Sequence, residues 1–80
     1  MGGLFSFRPL KCRDVQRALE TLNFKPTHQT GSHSRWEAIV DGVKRKVTLD
    51  CHRGEVRALD VKSIISQAGV TKAQFFNAMK

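Results

Sequence analysis

Residues 33–50 read HSRWEAIV, DG and VKRKVTLD in turn, and the rest of the chain is organised around this stretch. The Asp41-Gly42 pair at its centre is a strong hairpin signal. A two-residue type I′ turn needs positive φ at both central positions, and these two residue types accept it. The sequence therefore predicts a β-hairpin with strands at His33–Val40 and Val43–Asp50.

The register of this hairpin sorts its side chains into two faces, because successive residues of a strand point to opposite sides. Pairing Val40 with Val43 predicts one mostly apolar face toward the core and one polar face toward water. The apolar face then holds the pairs Ala38–Arg45, Trp36–Val47 and Ser34–Leu49. The polar face holds Ile39–Lys44, Glu37–Lys46, Arg35–Thr48 and His33–Asp50. Arg45 interrupts the apolar face, and we expect its long side chain to reach out to water.

The segment before the hairpin predicts a helix and a weaker strand. Apolar residues follow helical spacing from Cys12 onward. Asn23 is expected to end this helix, since asparagine tolerates the left-handed conformation found there, and Pro26 forbids its continuation. Thr27–Thr30 reads as a short strand, and Gly31-Ser32 as the turn into the hairpin.

The segment after the hairpin predicts a loop and two helices. Residues 51–59 read as a basic loop. Asp60 is the expected N-cap of a second main helix, and Gly69 is its expected stop. Thr71 and Gln74 form a capping box, which opens a last short helix.

These elements predict an α+β domain. The order is helix, three-stranded antiparallel sheet, helix and short C-terminal helix, with both main helices covering the apolar face of the sheet. Eighty residues suit one domain. We place this domain at residues 11–80, after an N-terminal arm at residues 1–10.

The composition points to a polyanionic partner. The chain has 14 Lys and Arg against 7 Asp and Glu, a formal charge of +7 and an isoelectric point near 10.1. Such a balance is typical of domains that bind nucleic acid. Two cysteines, Cys12 and Cys51, do not make a disulfide framework and suit a reducing compartment. The spacing of these cysteines and His52 does not support a zinc site, so we predict neither a metal nor another cofactor. No apolar run has the length of a membrane span, so no membrane partner is expected.

His33 is the candidate catalytic residue. It follows the Gly-Ser turn, begins a strand and belongs to the polar face. A histidine can exchange a proton near neutral pH, which RNA cleavage without a metal requires. Arg35, Lys44 and Lys46 share its predicted face and are placed to bind the phosphate. From spacing alone, an ordinary surface histidine remains the alternative.

Other residues are candidates for RNA contact. Backbone N–H groups of Gly31 and Ser32 can cradle a phosphate oxygen, although a plain connector explains the same pair. His52 and Arg53 lie in the basic loop, and Lys62 lies on the second helix. Each of these can contact phosphate or be a solvated side chain. His28 is interpreted as a bystander.

The chain resembles the HicA family of bacterial toxins. The resemblance rests on the helix ending at Asn23-Phe24, the strand Lys25–Thr30 and the G-S-H element at residues 31–33. The later segments KVTL at residues 46–49, His52, and KSIISQAGV at residues 62–70 agree with it. It covers about residues 11–74. One departure concerns Ser34, where family members often carry a second histidine or an aromatic residue.

The resemblance implies a fold and an activity. The family fold is double-stranded-RNA-binding-domain-like, α-β-β-β-α, and its members are mRNA interferases, ribonucleases that arrest growth. The family histidine falls on His33. The implied partners are mRNA and a HicB-type antitoxin, with operator DNA reached only through the antitoxin, and the implied location is the bacterial cytoplasm.

Two other functions stay open from the sequence. The first is a non-catalytic RNA-binding module of the same fold, which reads A-form shape and needs no histidine. The second is a protein-interaction subunit whose basic face binds an acidic partner. Steep salt dependence of RNA affinity distinguishes the first from the second.

Overall fold

The architecture is that of a small α+β domain, in a computed structural model that describes residues 7–80. Its elements are β1 (Leu10–Lys11), α1 (Cys12–Thr21), β2 (Lys25–Thr30), β3 (His33–Val40), β4 (Val43–Asp50), β5 (Glu55–Val56), α2 (Ala58–Ala68) and α3 (Lys72–Ala78). The predicted α-β-β-β-α order with a short C-terminal helix is confirmed. Most of the expected arm, residues 1–6, lies outside the described residues, so the arm boundary stays a prediction.

The central sheet has the strand order β2-β3-β4, and both pairs are antiparallel. β3 and β4 pair in the predicted register, from Val40 opposite Val43 to His33 opposite Asp50. Asp41 and Gly42 have φ angles of 52° and 79°, as a type I′ turn requires. The turn and the two faces that it implies are therefore confirmed.

The inner face of the sheet is buried. Trp36, Val47 and Leu49 are no more than 4% exposed. The helices add a continuous apolar surface to the same core, formed chiefly by Val15, Ala18, Leu19, Val61, Ile64, Ile65, Ala68 and Phe75. Each large buried side chain stabilises the fold by about 1.5–3 kcal/mol relative to exposure.

One polar pair lies within this core. Ser34 is 8% exposed, and its hydroxyl oxygen accepts a hydrogen bond of 2.9 Å from the indole Nε1–H of Trp36. A buried indole N–H needs such an acceptor. Ser34 is therefore a packing residue that satisfies the indole, on the opposite side of the sheet from His33.

The helix ends follow the predicted signals in three places. After α1, Asn23 adopts a φ of 71°, and after α2, Gly69 adopts a φ of 74°. Thr71 and Gln74 form the predicted capping box before α3, with hydrogen bonds of 3.1 and 2.8 Å. These residues set the lengths of the helices that cover the sheet.

The predicted N-cap of α2 is wrong. The helix begins at Ala58, one turn earlier than Asp60 implied, and Arg57 is its N-cap without a side-chain capping bond. Asp60 lies in the first turn, 3.9 Å from the Arg57 guanidinium. A carboxylate is favourable there because of the helix dipole, which explains how the same residue type misled the prediction.

The Arg45 side chain, expected to reach out to water, does so only in part. Its side chain is half-buried, and within residues 7–80 its buried Nε has no hydrogen-bond partner. The guanidinium lies against Gly69, where an added Cβ would come within 2.8 Å of Nε. The cation thus packs at the C-terminal end of α2, where the helix dipole favours positive charge.

Residues 51–59 are more ordered than the predicted loop. They contain β5, which pairs antiparallel with β1 through Leu10 opposite Val56 and Lys11 opposite Glu55. The backbone N–H of Cys12 also donates to the carbonyl of Gly54 at 2.9 Å. A strand of two residues is too short to show an alternating pattern, so the sequence does not predict β1 or β5.

Cys12 and Cys51 are joined by a disulfide bond across 39 residues of sequence. The expectation of two cysteines outside any disulfide is therefore wrong. The bond ties the start of α1 to the end of β4, next to the small β1–β5 sheet. It closes residues 12–51, about half of the chain, into one covalent loop.

Replacing Ser34 with alanine should leave the buried indole N–H without an acceptor. We expect the free energy of unfolding to fall by about 1–3 kcal/mol. Urea unfolding followed by the fluorescence of Trp36, the single tryptophan, measures this. The matched control is Ser66→Ala on the exposed side of α2, which should change stability by less than about 0.5 kcal/mol. Equal stability of the two variants would contradict the role of the bond.

Reduction of the Cys12–Cys51 disulfide should destabilise the domain by roughly 4 kcal/mol, because a loop of this length restricts the unfolded chain. Guanidinium unfolding with and without reductant measures the difference. A Cys12→Ala/Cys51→Ala variant should be indifferent to reductant. Rapid alkylation of both thiols in the folded, untreated protein would show that the bond is not formed.

Candidate active site

The outer face of the β2-β3-β4 sheet carries the candidate site. We call it the open face, because α1 and α2 pack with the inner face. Its side chains form three rows, each crossing all three strands. The first row is Thr30, His33 and Asp50, the second is His28, Arg35 and Thr48, and the third is Lys25, Glu37 and Lys46. The predicted pair Ile39–Lys44 lies beyond the third row.

The turn before His33 places the first row. Thr30 pairs with His33, so Gly31 and Ser32 form a two-residue loop. Gly31 has a φ of 60°, as the first central position of a type II′ turn requires. A side chain at Gly31 would meet no neighbour but would strain the backbone. The glycine therefore sets where strand β3 begins and which way His33 points.

A chain of polar contacts links the turn to the histidine. The Ser32 hydroxyl donates to Asp50 Oδ1 at 2.9 Å. Asp50 Oδ2 lies 3.5 Å from His33 Nε2. The His33 side chain is 64% exposed, whereas that of Asp50 is only 22% exposed. The carboxylate is thus held in place under an imidazole that solvent and ligands can reach.

This arrangement suits proton transfer. A carboxylate beside an imidazole orients the ring, fixes which nitrogen carries the proton and stabilises the imidazolium ion. With Nε2 directed at Asp50, Nδ1 of His33 is the nitrogen left for a ligand. The sequence analysis paired His33 with Asp50 but gave Asp50 no role, and the register alone was the signal that could have found it.

His33 borders two hollows. The first, of about 120 Å³, lies over the second row and is lined by His28, Thr30, His33, Ser34, Arg35 and Thr48. The second, of about 300 Å³, lies between β4 and α2 and is lined by His33, Thr48, Asp50, Arg57, Asp60, Ser63 and Gln67. The Gln67 side chain crosses to the sheet and accepts a 3.0 Å bond from the Thr48 N–H. A ligand on His33 can therefore extend in either direction.

The cations of the open face are not equivalent. Lys44 forms an ion pair with Glu37 at 3.2 Å. Its ammonium, together with the Thr27 hydroxyl, holds the pKa of Glu37 below its usual value. Glu37 therefore stays ionised near neutral pH and offsets part of the local positive charge. Arg35 is exposed two residues before Glu37 on β3, and Lys46 is exposed directly opposite it on β4.

Three predicted RNA contacts lie away from these hollows. His52 is in the tight turn before β5, bonded through its backbone to Glu55 at 2.8 and 3.0 Å. Arg53 lines a separate cleft beside the start of α1, with Lys11 and Arg13. Lys62 lines a groove along α2 that shares Ser63 and Gln67 with the hollow beside His33. Their part in RNA binding stays a prediction.

Residues 7–80 offer neither a metal-ligand cluster nor a membrane-spanning helix. Residues 7–80 contain no group of three or more His, Cys, Asp and Glu side chains arranged to hold a metal ion. In the same part of the chain, every helix is too short or too polar to cross a membrane.

Comparison with known proteins identifies the family. A family model described as HicA toxin of bacterial toxin-antitoxin matches residues 12–70. No curated protein and no solved structure gives a match. The match spans the sheet, both main helices and the site, so the chain belongs to the HicA toxin family. It is accordingly the toxin component of a toxin–antitoxin pair, and the predicted resemblance is confirmed.

Proposed function

We propose that this toxin is a metal-independent endoribonuclease, an mRNA interferase, that uses His33 for acid–base cleavage of RNA. The observation that carries the proposal is the Ser32–Asp50–His33 chain at one end of a cationic sheet face. A solvent-accessible imidazole supported by a carboxylate is a proton-transfer group rather than a packing residue. Membership of the HicA family supports the same activity.

The reaction is an internal transesterification of RNA. The 2′-hydroxyl loses its proton and its oxygen attacks the adjacent phosphorus, and the bond to the 5′-oxygen breaks with uptake of a proton. The His33 imidazole transfers one of these protons through Nδ1, while Asp50 stabilises its charged form. Arg35 and Lys46 stabilise the charge that develops on the phosphoryl oxygens. The products are a 2′,3′-cyclic phosphate and a 5′-hydroxyl.

RNA binding uses charge around this centre. The backbone N–H groups of Gly31 and Ser32 contact phosphate beside His33, since the Ser32 hydroxyl is engaged with Asp50. Lys44 contacts phosphate at the far end of the open face, beyond the third row. Lys62 continues the contacts along α2, and His52 and Arg53 extend them beyond the end of β4. The formal charge of +7 supports this assignment, because phosphate contacts supply most of the affinity for nucleic acids.

The proposed antitoxin is of the HicB type and neutralises the toxin by covering the open face. An acidic surface would complement the cations there and exclude RNA from His33. Operator DNA is reached through the antitoxin alone. The proposed site of action is the bacterial cytoplasm, where mRNA is the substrate.

Replacing His33 with alanine should reduce cleavage by at least about 100-fold, the usual size of an acid–base contribution. The measurement is cleavage of RNA by purified, antitoxin-free protein in EDTA, with circular dichroism to establish folding. Gln29→Ala is the matched control, because Gln29 is exposed on β2 and opposes Ser34 instead of His33. Cleavage by a folded His33→Ala variant at the parent rate would defeat the proposal. If parent and variant both bind RNA in a salt-sensitive way without cleavage, the protein is instead an RNA-binding module.

Removing Arg35 and Lys46 together should weaken RNA binding and flatten its salt dependence. Two lost phosphate contacts reduce the slope of log K against log salt by about 1.4–1.8. The matched control is Arg17→Ala/Lys80→Ala, which removes the same charge from exposed positions on and after helices that pack with the inner face. Filter binding or fluorescence anisotropy at several salt concentrations measures both. Equal slopes for the two double variants would place the RNA elsewhere.

A further inference from the structure

We propose that His28 is the second proton-transfer group of the site, so that His28 and His33 act as an acid–base pair. This inference rests on the proposed ribonuclease function and deepens it. Cleavage moves two protons at two oxygens on opposite sides of one phosphorus. One group must take the proton of the 2′-hydroxyl, while another delivers a proton to the departing 5′-oxygen.

The turn at Gly31-Ser32 places His28 on the open face. Pro26 opposes Trp36 and His28 opposes Arg35, so the register shifts by one residue between Pro26 and His28. From Thr30 opposite His33 to His28 opposite Arg35 the ladder is unbroken, so His28 lies on the same side of the sheet as Arg35 and His33. Because Thr27 is the extra residue, Lys25 also lies on this side, opposite Glu37. Bulges commonly re-aim a side chain in this manner.

The two histidines then share one hollow. His28 and His33 are diagonal neighbours, since His33 pairs with Thr30, two residues beyond His28. Such diagonal positions lie about 7–8 Å apart, which leaves room for a phosphodiester between the rings. Both rings line the 120 Å³ hollow, together with the guanidinium-bearing Arg35. A phosphate held by Arg35 would therefore have one imidazole on either side.

The Thr30 hydroxyl holds the second ring. Its Oγ1 lies 3.2 Å from His28 Nε2. In the imidazolium form both ring nitrogens are donors, so Thr30 Oγ1 accepts from Nε2–H and Nδ1–H remains for an oxygen of the substrate. In the neutral form the hydroxyl donates to, or accepts from, Nε2, and Nδ1 takes the complementary role. Either proton-transfer role is therefore open to a ring whose orientation is fixed by its neighbour.

The proton balance closes with these two groups. One imidazole starts neutral and gains the 2′-hydroxyl proton as the bond from O2′ to phosphorus forms. The other starts as imidazolium and gives its proton to the 5′-oxygen as the bond from phosphorus to O5′ breaks. Exchange with water restores both rings, and no other reactant is consumed.

The test compares two leaving groups. Single-turnover cleavage is measured for the parent, His28→Gln, His33→Gln and Gln29→Ala, each shown to be folded by circular dichroism. One substrate is ordinary RNA, and the other carries sulfur in place of the bridging 5′-oxygen. A thiol has a pKa of about 8.5 and departs as thiolate without a proton donor. Only loss of the acid is therefore compensated by the sulfur substrate.

We expect both histidine variants to cleave ordinary RNA at least about 100-fold more slowly than the parent, and Gln29→Ala to match the parent. On the sulfur substrate, one histidine variant should recover to near the parent rate and the other should not. Parent-like cleavage by His28→Gln overturns the inference while leaving His33 in place. Equal slowing of both variants on both substrates also overturns it, because His28 would then only position RNA. No cleavage by the parent overturns the proposed function and this pair together.

Discussion

The alternation of side chains along β3 is the constraint on which the site depends. Successive side chains of a strand point to opposite faces. A shift of β3 by one residue would therefore point the residues of the open face into the core. Two tight turns fix the register of β3, with Gly31 in the left-handed region at its start and Asp41 and Gly42 at its end. Trp36 and Ser34 are thereby buried, and His33 and Arg35 are exposed. The chemistry of one face and the stability of the other are consequences of the same register.

The stable part of the molecule and the reactive part are separated by the thickness of one sheet. Ser34 and His33 are adjacent in sequence, yet one satisfies a buried indole and the other is open to solvent. Packing in the core holds the strands in place on the inner face. Contacts between short polar side chains hold the functional groups in place on the outer face. Asp50, kept in place by Ser32, is the clearest case, since a fixed carboxylate costs no reorganisation when charge develops on the ring.

The sequence predicts the parts of this structure that carry a local signal. The Asp41-Gly42 turn predicts the register of β3 and β4. That register predicts which residues share each face and which residues lie beside His33. The capping box at Thr71 and the stops at Asn23 and Gly69 also have side-chain causes within a few residues. The features that the sequence does not predict depend on contacts between distant segments of the chain. The β1–β5 pairing has no period, the Cys12–Cys51 bond joins distant segments, and the guanidinium of Arg45 packs against the distant Gly69. The bulge at Thr27 belongs to the same class, and it brings Lys25 opposite Glu37 on the open face.

That bulge makes the composition of the open face a matter of chain length as well as of residue identity. Deleting one residue from the first half of β2 would restore an even ladder and turn every side chain before the deletion relative to those after it. A change in length can thus move a side chain such as that of Lys25 between the solvent side and the core side without replacing it. In a sheet this small, insertion and deletion are a route to changing which functional groups meet, alongside point substitution.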